Sequence, residues 1–314
     1  MLLLITMKGP LFYAKILLFG EYGIIKDSKG LAIPFNAYRG ALKTSNDLDA
    51  KAKTSNQNLF KFFNYIAGLN SDKVTFNLDE FKKDLEDGMY FDSSIPQGYG
   101  VGSSGALVAS IYDKYAYDKI TILENLTREK LLNLKSIFSL MESFFHGKSS
   151  GLDPLNSYLS LPILINSKDN LEPAGIPSQK EGKGAVFLLD SEQIGETEPM
   201  VNIFMNKMKN EGFRTMISEE FSKTTDACIE DFLSGNLKSL FGNVKSLSKV
   251  VLKNFKPMIP DAFHKVWEKG INSNEYYLKL CGSGGGGYIL GFTEDYPKAQ
   301  ESLKDYKLEL VYRF

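Results

Sequence analysis

The sequence predicts a two-domain protein mixing helices and strands, of α/β or α+β class, on three observations. Strand-like apolar runs stand near both ends, helical periodicity fills the middle, and a Pro- and Gly-rich stretch lies near residue 180. A chain of 314 residues suffices for one large or two medium domains. Residues 11–19 and 24–25 read as strands around a turn at 20–23, and 30–41 continue a β-rich meander. Leu59, Phe62, Phe63 and Ile66 recur at helical spacing in 58–67. Residues 89–105 are dense in Gly, Ser and Pro and predict a flexible loop feeding an apolar helix at 106–116. Leu131, Leu134, Phe138, Met141 and Phe145 form one stripe, predicting a helix over 128–145. Strand character returns at 157–165. Pro173, Gly175, Pro177, Gly182 and Gly184 predict a boundary near 180, dividing the chain into domains 1–180 and 181–314. Beyond it come a strand at 185–190, a mostly helical stretch over 199–270 broken at Gly235 and between Pro257 and Pro260, and strands at 276–281, 288–292 and 307–314.

Composition removes several function classes. At 43% hydrophobic and 24% charged, the chain is neither disordered nor fibrous. A net charge of −1 supplies no field for gripping nucleic acid or an anionic membrane, so neither is an expected partner. Cys228 and Cys281 are too few for a disulfide framework and fit a reducing, cytoplasmic setting. His146 and His264 are the only histidines, which excludes a three-histidine zinc site, and no CxxC pair replaces one. The apolar start lacks a positive region before its first run, which Lys8, Gly9 and Pro10 interrupt, so a signal sequence is not expected.

The segment IPQGYGVGSSGALVAS, residues 95–110, is the sharpest local feature. Gly98, Gly100, Gly102 and Gly105 strip side chains from a loop that opens a helix, so backbone amides and the helix N-terminus can cradle an anion, most often phosphate. The alternative is a mobile surface loop with a Ser/Gly helix cap. GVGSSG also matches the dinucleotide fingerprint, and residues 102–106 resemble a hydrolase nucleophile elbow, with Ser104 and His264 as the pair. Both need a strand directly before the turn, where Pro96 and Gly98 stand. The Walker pattern and the HRD and DFG motifs are absent.

Three further residues stand out. Glu142 lies roughly 20° from Leu131 on the helical wheel, at the margin of the apolar stripe, as either an edge residue or an inward-facing ligand. Asp153, in HGKSSGLDP, sits at a turn or helix start or in a site. Lys15 interrupts an apolar strand, either at a sheet edge or pointing into a site. The tract GSGGGG at 282–287 weakens any sheet, which implies close backbone approach to a ligand or another loop.

Taken in order, AKILLFGEYGI, PQGYGVGSSGA and LCGSGGGGYILGF resemble the three motifs of the galacto-, homoserine, mevalonate and phosphomevalonate (GHMP) kinase superfamily, and HGKSSGLD is similar to its H-G-x-x-S-G-x-D segment. The lysine before I-L-L-F-G-E resembles the start of the mevalonate kinase branch. Tyr13-Ala14 replaces Pro-Gly, Tyr22 replaces a histidine, Gly105 an alanine and Pro154 an asparagine. The resemblance implies an α+β fold with an N-terminal domain like domain 2 of ribosomal protein S5 and a ferredoxin-like C-terminal domain. It implies ATP and Mg²⁺ as cofactors. Gly98, Gly100, Gly102, Ser103, Ser104 and Gly105 would bind nucleotide, while Ser104 and Glu142 would hold the metal. Asp153 would act as base and Lys15 as its catalytic partner, with Glu21, Tyr22, Gly284 and Gly285 on the substrate side. The implied reaction is phosphorylation of a small alcohol, mevalonate to 5-phosphomevalonate. The alternatives are a sibling kinase of phosphomevalonate or another alcohol, with Arg39 and Lys43 as candidate phosphate contacts, and a serine hydrolase. Self-association as a homodimer is the assembly to test.

Overall fold

The computed structural model describes residues 10–26, 28–121, 126–179 and 181–314; the apolar residues 1–9, weighed above against a signal sequence, lie outside them. The chain sorts into two compact units, each built from three segments. The first takes residues up to Ala14, Pro34–Ile95 and Gly102–Ser160; the second takes Lys15–Ile33, Pro96–Val101 and Leu161–Phe314. Strands β1 (Phe12–Phe19) and β2 (Gly30–Thr44) each run from one unit into the other.

In the first unit, helix α1 (Ala50–Ala67) begins well before the predicted residue 58 because the Asp49 side chain accepts from Ala52 N at 2.8 Å, capping an early start. It buries Ala52, Leu59, Phe62 and Ile66 along one stripe. Helix α2 (Leu78–Glu86), capped by Asn77, leads into β3 (Met89–Ser93), which pairs antiparallel with β2 from Gly40↔Ser93 to Thr44↔Met89. The loop predicted for 89–105 is therefore shorter than expected, its first five residues forming an edge of β2. Helix α3 (Ser103–Tyr115) follows the glycines. Helix α4 (Arg128–His146), capped by Thr127, buries Leu131, Leu134, Ile137, Phe138, Met141 and Glu142. Phe145, predicted on that stripe, is 38% exposed, since the helix ends one residue later. Residues 157–159 are the last turn of helix α5 (Leu152–Leu159) and not a strand. A short apolar run does not separate helix from strand by periodicity, and the positive φ values at Gly151 and Ser160 close this helix at both ends.

In the second unit, β4 (Ile163–Ser167) pairs with the start of β2, Gly30↔Ile165 to Ala32↔Ile163, and with β5 (Asn170–Pro173). The stretch around the predicted boundary at 180 lies within this unit: Tyr312 Oη donates to Pro177 O, and Arg313 N to Gln179 Oε1 at 3.1 Å. Strand β6 (Ala185–Asp190) is buried along nearly its whole length. Helices α6 (Thr197–Lys207), α7 (Glu211–Met216), α8 (Lys223–Ser234), α9 (Leu237–Asn254) and α10 (His264–Ser273) follow, with breaks at Gly235 and Pro257 as predicted. Strands β7 (Tyr277–Leu280) and β8 (Tyr288–Thr293), helix α11 (Tyr296–Ser302) and strand β9 (Leu308–Arg313) complete an antiparallel sheet in the order β7-β8-β6-β9. Trp267 is wholly buried against α9, its indole N–H donating to Ser248 Oγ at 2.8 Å, so the largest side chain is packed without losing a hydrogen bond. The architecture is α+β with antiparallel sheets. Among the described residues, no helix is long and apolar enough to cross a membrane.

Candidate active site

The glycine loop adopts a conformation that other residues resist. Gly98, Gly100 and Gly102 have φ of +75°, +77° and +80°, in the left-handed region. Alternating left-handed glycines turn successive backbone N–H groups toward one side, a geometry that suits an anion. Helix α3 starts at Ser103 with no side chain capping it, which leaves the positive end of its own dipole without a side-chain acceptor. Strand β3 ends at Ser93, and residues 94–101 intervene before Gly102. The immediately preceding strand required by a dinucleotide fingerprint or a nucleophile elbow is therefore absent here.

Around the start of α3 the first unit gathers several of the candidate side chains. Ser104 Oγ donates to Glu142 Oε1 at 3.0 Å, and Ser149 Oγ donates to Glu142 Oε2. Glu142 is only 3% exposed, so the helical-wheel ambiguity resolves inward. Ser104 Oγ also lies 3.1 Å from His146 Nε2. Since the one hydroxyl proton goes to Glu142, that contact requires the tautomer with hydrogen on Nε2. Surrounding protein holds the His146 ring below the usual imidazole pKa by desolvation, with the charge of Asp153 acting the other way. Asp153 occupies the first turn of α5. At Gly105 an added Cβ would lie 2.7 Å from the Asp153 carbonyl carbon and 2.8 Å from Pro154 N. Glycine in place of alanine there lets α3 and α5 approach closely.

The second unit gathers the rest. Lys15 on β1 is 5% exposed, and its backbone N–H donates to Val101 O at 3.0 Å. Buried Glu21 is ion-paired with equally buried Lys279, whose ammonium also donates to Leu280 O at 2.9 Å. Burial pushes the Glu21 carboxyl upward, opposed first by Lys279 and more weakly by Lys15. Tyr22, with φ of +60°, packs its ring 4.7 Å from Phe204 and 5.7 Å from Phe255, and its hydroxyl donates to Ser283 O at 2.6 Å. Burial pushes its phenol well above the ordinary value. The close approach expected of the glycine tract is made to protein: Gly285 N donates to Met258 O at 2.7 Å, and a Cβ on Gly284 would lie 2.5 Å from that oxygen.

Sequence reasoning did not single out Lys279, Ser149 or His146 as site residues. Lys279 carried the same signal as Lys15, a lone cation between apolar strand residues. Ser149 carried none, because its role depends on a loop folding back onto α4. His264, the partner proposed for a hydrolase, has Nε2 held 3.0 Å from Ile259 O and 3.2 Å from Lys256 O, and the imidazole beside Ser104 is that of His146. Lys43 pairs with Asp92 at 2.5 Å on the exposed β2–β3 ladder, and Arg39 N donates to Ser94 Oγ.

The donor set around Glu142 fits a hard cation. It offers a carboxylate and a hydroxyl, and among the described residues no group of three or more His, Cys, Asp or Glu could hold a metal by itself. Mg²⁺ typically takes one or two protein oxygens and completes its shell with water and substrate phosphates.

Solved structures share this architecture over nearly the full chain. Leishmania major mevalonate kinase, in complex with R-mevalonate, superposes with a TM-score of 0.64 at 16% identity, covering 96% of this chain and 95% of that one. Streptococcus pneumoniae phosphomevalonate kinase, in complex with phosphomevalonate and AMPPNP, gives 0.61 at 14% identity over 96% and 98%. Lactococcus lactis galactokinase complexed with galactose gives 0.59 at 12% identity over 98% and 94%. The chain has the fold of the GHMP kinases. No family model matches its sequence, and no curated protein matches it either.

Proposed function

We propose that this GHMP-fold chain is an ATP-dependent kinase of a small alcohol, with mevalonate as the first acceptor to test and 5-phosphomevalonate as the product. The observation that carries the reading is the Ser104–Glu142 hydrogen bond at the N-terminus of α3, directly after three left-handed glycines. Phosphoryl transfer asks a protein for positioning and for electrostatic stabilisation of charge on the transferred group. Backbone amides over residues 98–105 meet that need on the nucleotide side. Ser104 and Glu142 are the residues that would hold Mg²⁺, which when bound neutralises phosphate charge. Asp153 accepts the proton of the acceptor hydroxyl, and Lys15 stabilises the developing alkoxide. Glu21, Tyr22, Gly284 and Gly285 shape the acceptor side, Tyr22 as a fixed wall because its hydroxyl already serves Ser283.

In this reading the two units are the S5-like and ferredoxin-like domains of that fold, the protein works in the cytoplasm, and homodimerisation is open to measurement by sedimentation. The decisive experiment is an ADP-release assay over mevalonate, phosphomevalonate, galactose and other small alcohols, with and without Mg²⁺. Acceptor-dependent ADP release establishes the class and the acceptor. Release from none of them, with ATP binding absent in a titration, removes the kinase reading.

A further inference from the structure

The loop between α4 and α5 does more than join two helices. It is pinned to α4: Ser139 Oγ donates to Ser149 O at 2.6 Å, and a Cβ on Gly151 would lie 2.1 Å from Lys135 O. The pinning aims the Ser149 hydroxyl at the Glu142 carboxylate. Its proton goes to Oε2, and its oxygen accepts from Gly151 N at 3.0 Å, so this hydroxyl both donates and accepts. The last torsion of a glutamate is broad and nearly two-fold when nothing restrains it. With Oε2 held by Ser149, Oε1 faces Ser104 Oγ at 3.0 Å.

We propose that Ser149 is a positioning residue for the cation site: it fixes the carboxylate plane of Glu142 so that Oε1 and Ser104 Oγ present a joint pair of oxygen ligands to a divalent cation. Ser149 occupies an unassigned position of the H-G-x-x-S-G-x-D segment, so the resemblance gives it no role. The inference rests on the metal assignment made above. Partners of this kind, which orient a ligand without touching the metal, commonly contribute about 10- to 100-fold in metal affinity.

Mn²⁺, observed by electron paramagnetic resonance, tests this without turnover. Each full-length variant is titrated with Mn²⁺ in the presence of a non-hydrolysable ATP analogue, and analogue affinity is measured separately in EDTA. Ser149→Ala should weaken Mn²⁺ binding about ten-fold or more, leave analogue affinity in EDTA unchanged, and be rescued by Ser149→Thr, which keeps the hydroxyl. Ser149→Gly repeats the deletion in a loop-tolerant form should the alanine variant fold poorly, as judged by circular dichroism. Unchanged Mn²⁺ affinity in Ser149→Ala and Ser149→Gly, beside weakened binding in Glu142→Gln, overturns the role of Ser149 and leaves the metal site standing. Equal losses in Ser149→Ala and Ser149→Thr also overturn it, because the hydroxyl is then irrelevant. Unchanged binding in Glu142→Gln removes the metal site, and this inference with it.

Discussion

Two buried glutamates, one in each unit, are stabilised in opposite ways. Glu142 is 3% exposed and its two oxygens accept from the hydroxyls of Ser104 and Ser149. Glu21 is 5% exposed and is ion-paired with the Lys279 ammonium. Hydroxyl donors satisfy a carboxylate's lone pairs without cancelling its charge, whereas an ammonium cancels it. The first arrangement suits a group that must attract a cation from outside; the second suits a tie between chain segments. The difference separates chemistry from scaffolding more sharply than burial does.

The largest expected effect belongs to the chemical side of that contrast. Asp153→Asn keeps shape and removes the proposed proton acceptor, so turnover should fall by roughly 10²–10⁴ while ATP binding by calorimetry is retained. Lys15→Met should also lower turnover, and the double variant should lose less than the product of the single losses, as for residues acting as one unit. Near-normal turnover in Asp153→Asn would place it with the scaffolding.

Next comes the scaffolding itself. Removing one partner of a buried pair strands the other charge, so Glu21→Gln or Lys279→Met should each lose about 3–5 kcal/mol of unfolding free energy in urea titrations. The apolar double replacement Glu21→Leu with Lys279→Met should recover much of that loss. If the single variants keep wild-type stability, Glu21 is not the tie described here and the comparison with Glu142 breaks.

Tyr22→Phe refines the same side on a smaller scale. It deletes the donor to Ser283 O and keeps the ring among Phe204 and Phe255, so the expected stability loss is about 1 kcal/mol. Should Tyr22→Phe instead leave the urea midpoint alone and raise the acceptor KM by more than ten-fold, the hydroxyl belongs to the substrate.

The smallest effect is a control from the first unit. Burial acts to raise the Asp84 pKa, but hydrogen bonds from Lys114 and Tyr115 outweigh it and hold the carboxyl below its ordinary value of 3.8. A depressed folded pKa means this pair's contribution is present above that ordinary value and is lost as pH falls through the folded one. Asp84→Asn should flatten the acid limb of the stability–pH curve without altering Mn²⁺ binding. A shift in Mn²⁺ affinity would show that the Glu142 site is not electrostatically local.

By itself the sequence determined the features that repeat locally. The stripe of Leu131, Leu134, Phe138 and Met141 specified α4, Gly235 and Pro257 marked real helix breaks, and the glycines at 98, 100 and 102 announced a loop stripped of side chains, which the structure folds with positive φ. These are legible because helix period and glycine's missing Cβ act within a few residues. Only the tertiary structure decided that Glu142 turns inward to Ser104, 38 positions away, and that Glu21 meets Lys279 across 258. It likewise turned residues 157–159 into helix and brought Ser149 back onto α4. No local pattern encodes such partners. A side chain's charge and burial are settled by whichever distant segment packs against it, and that choice depends on the fold as a whole.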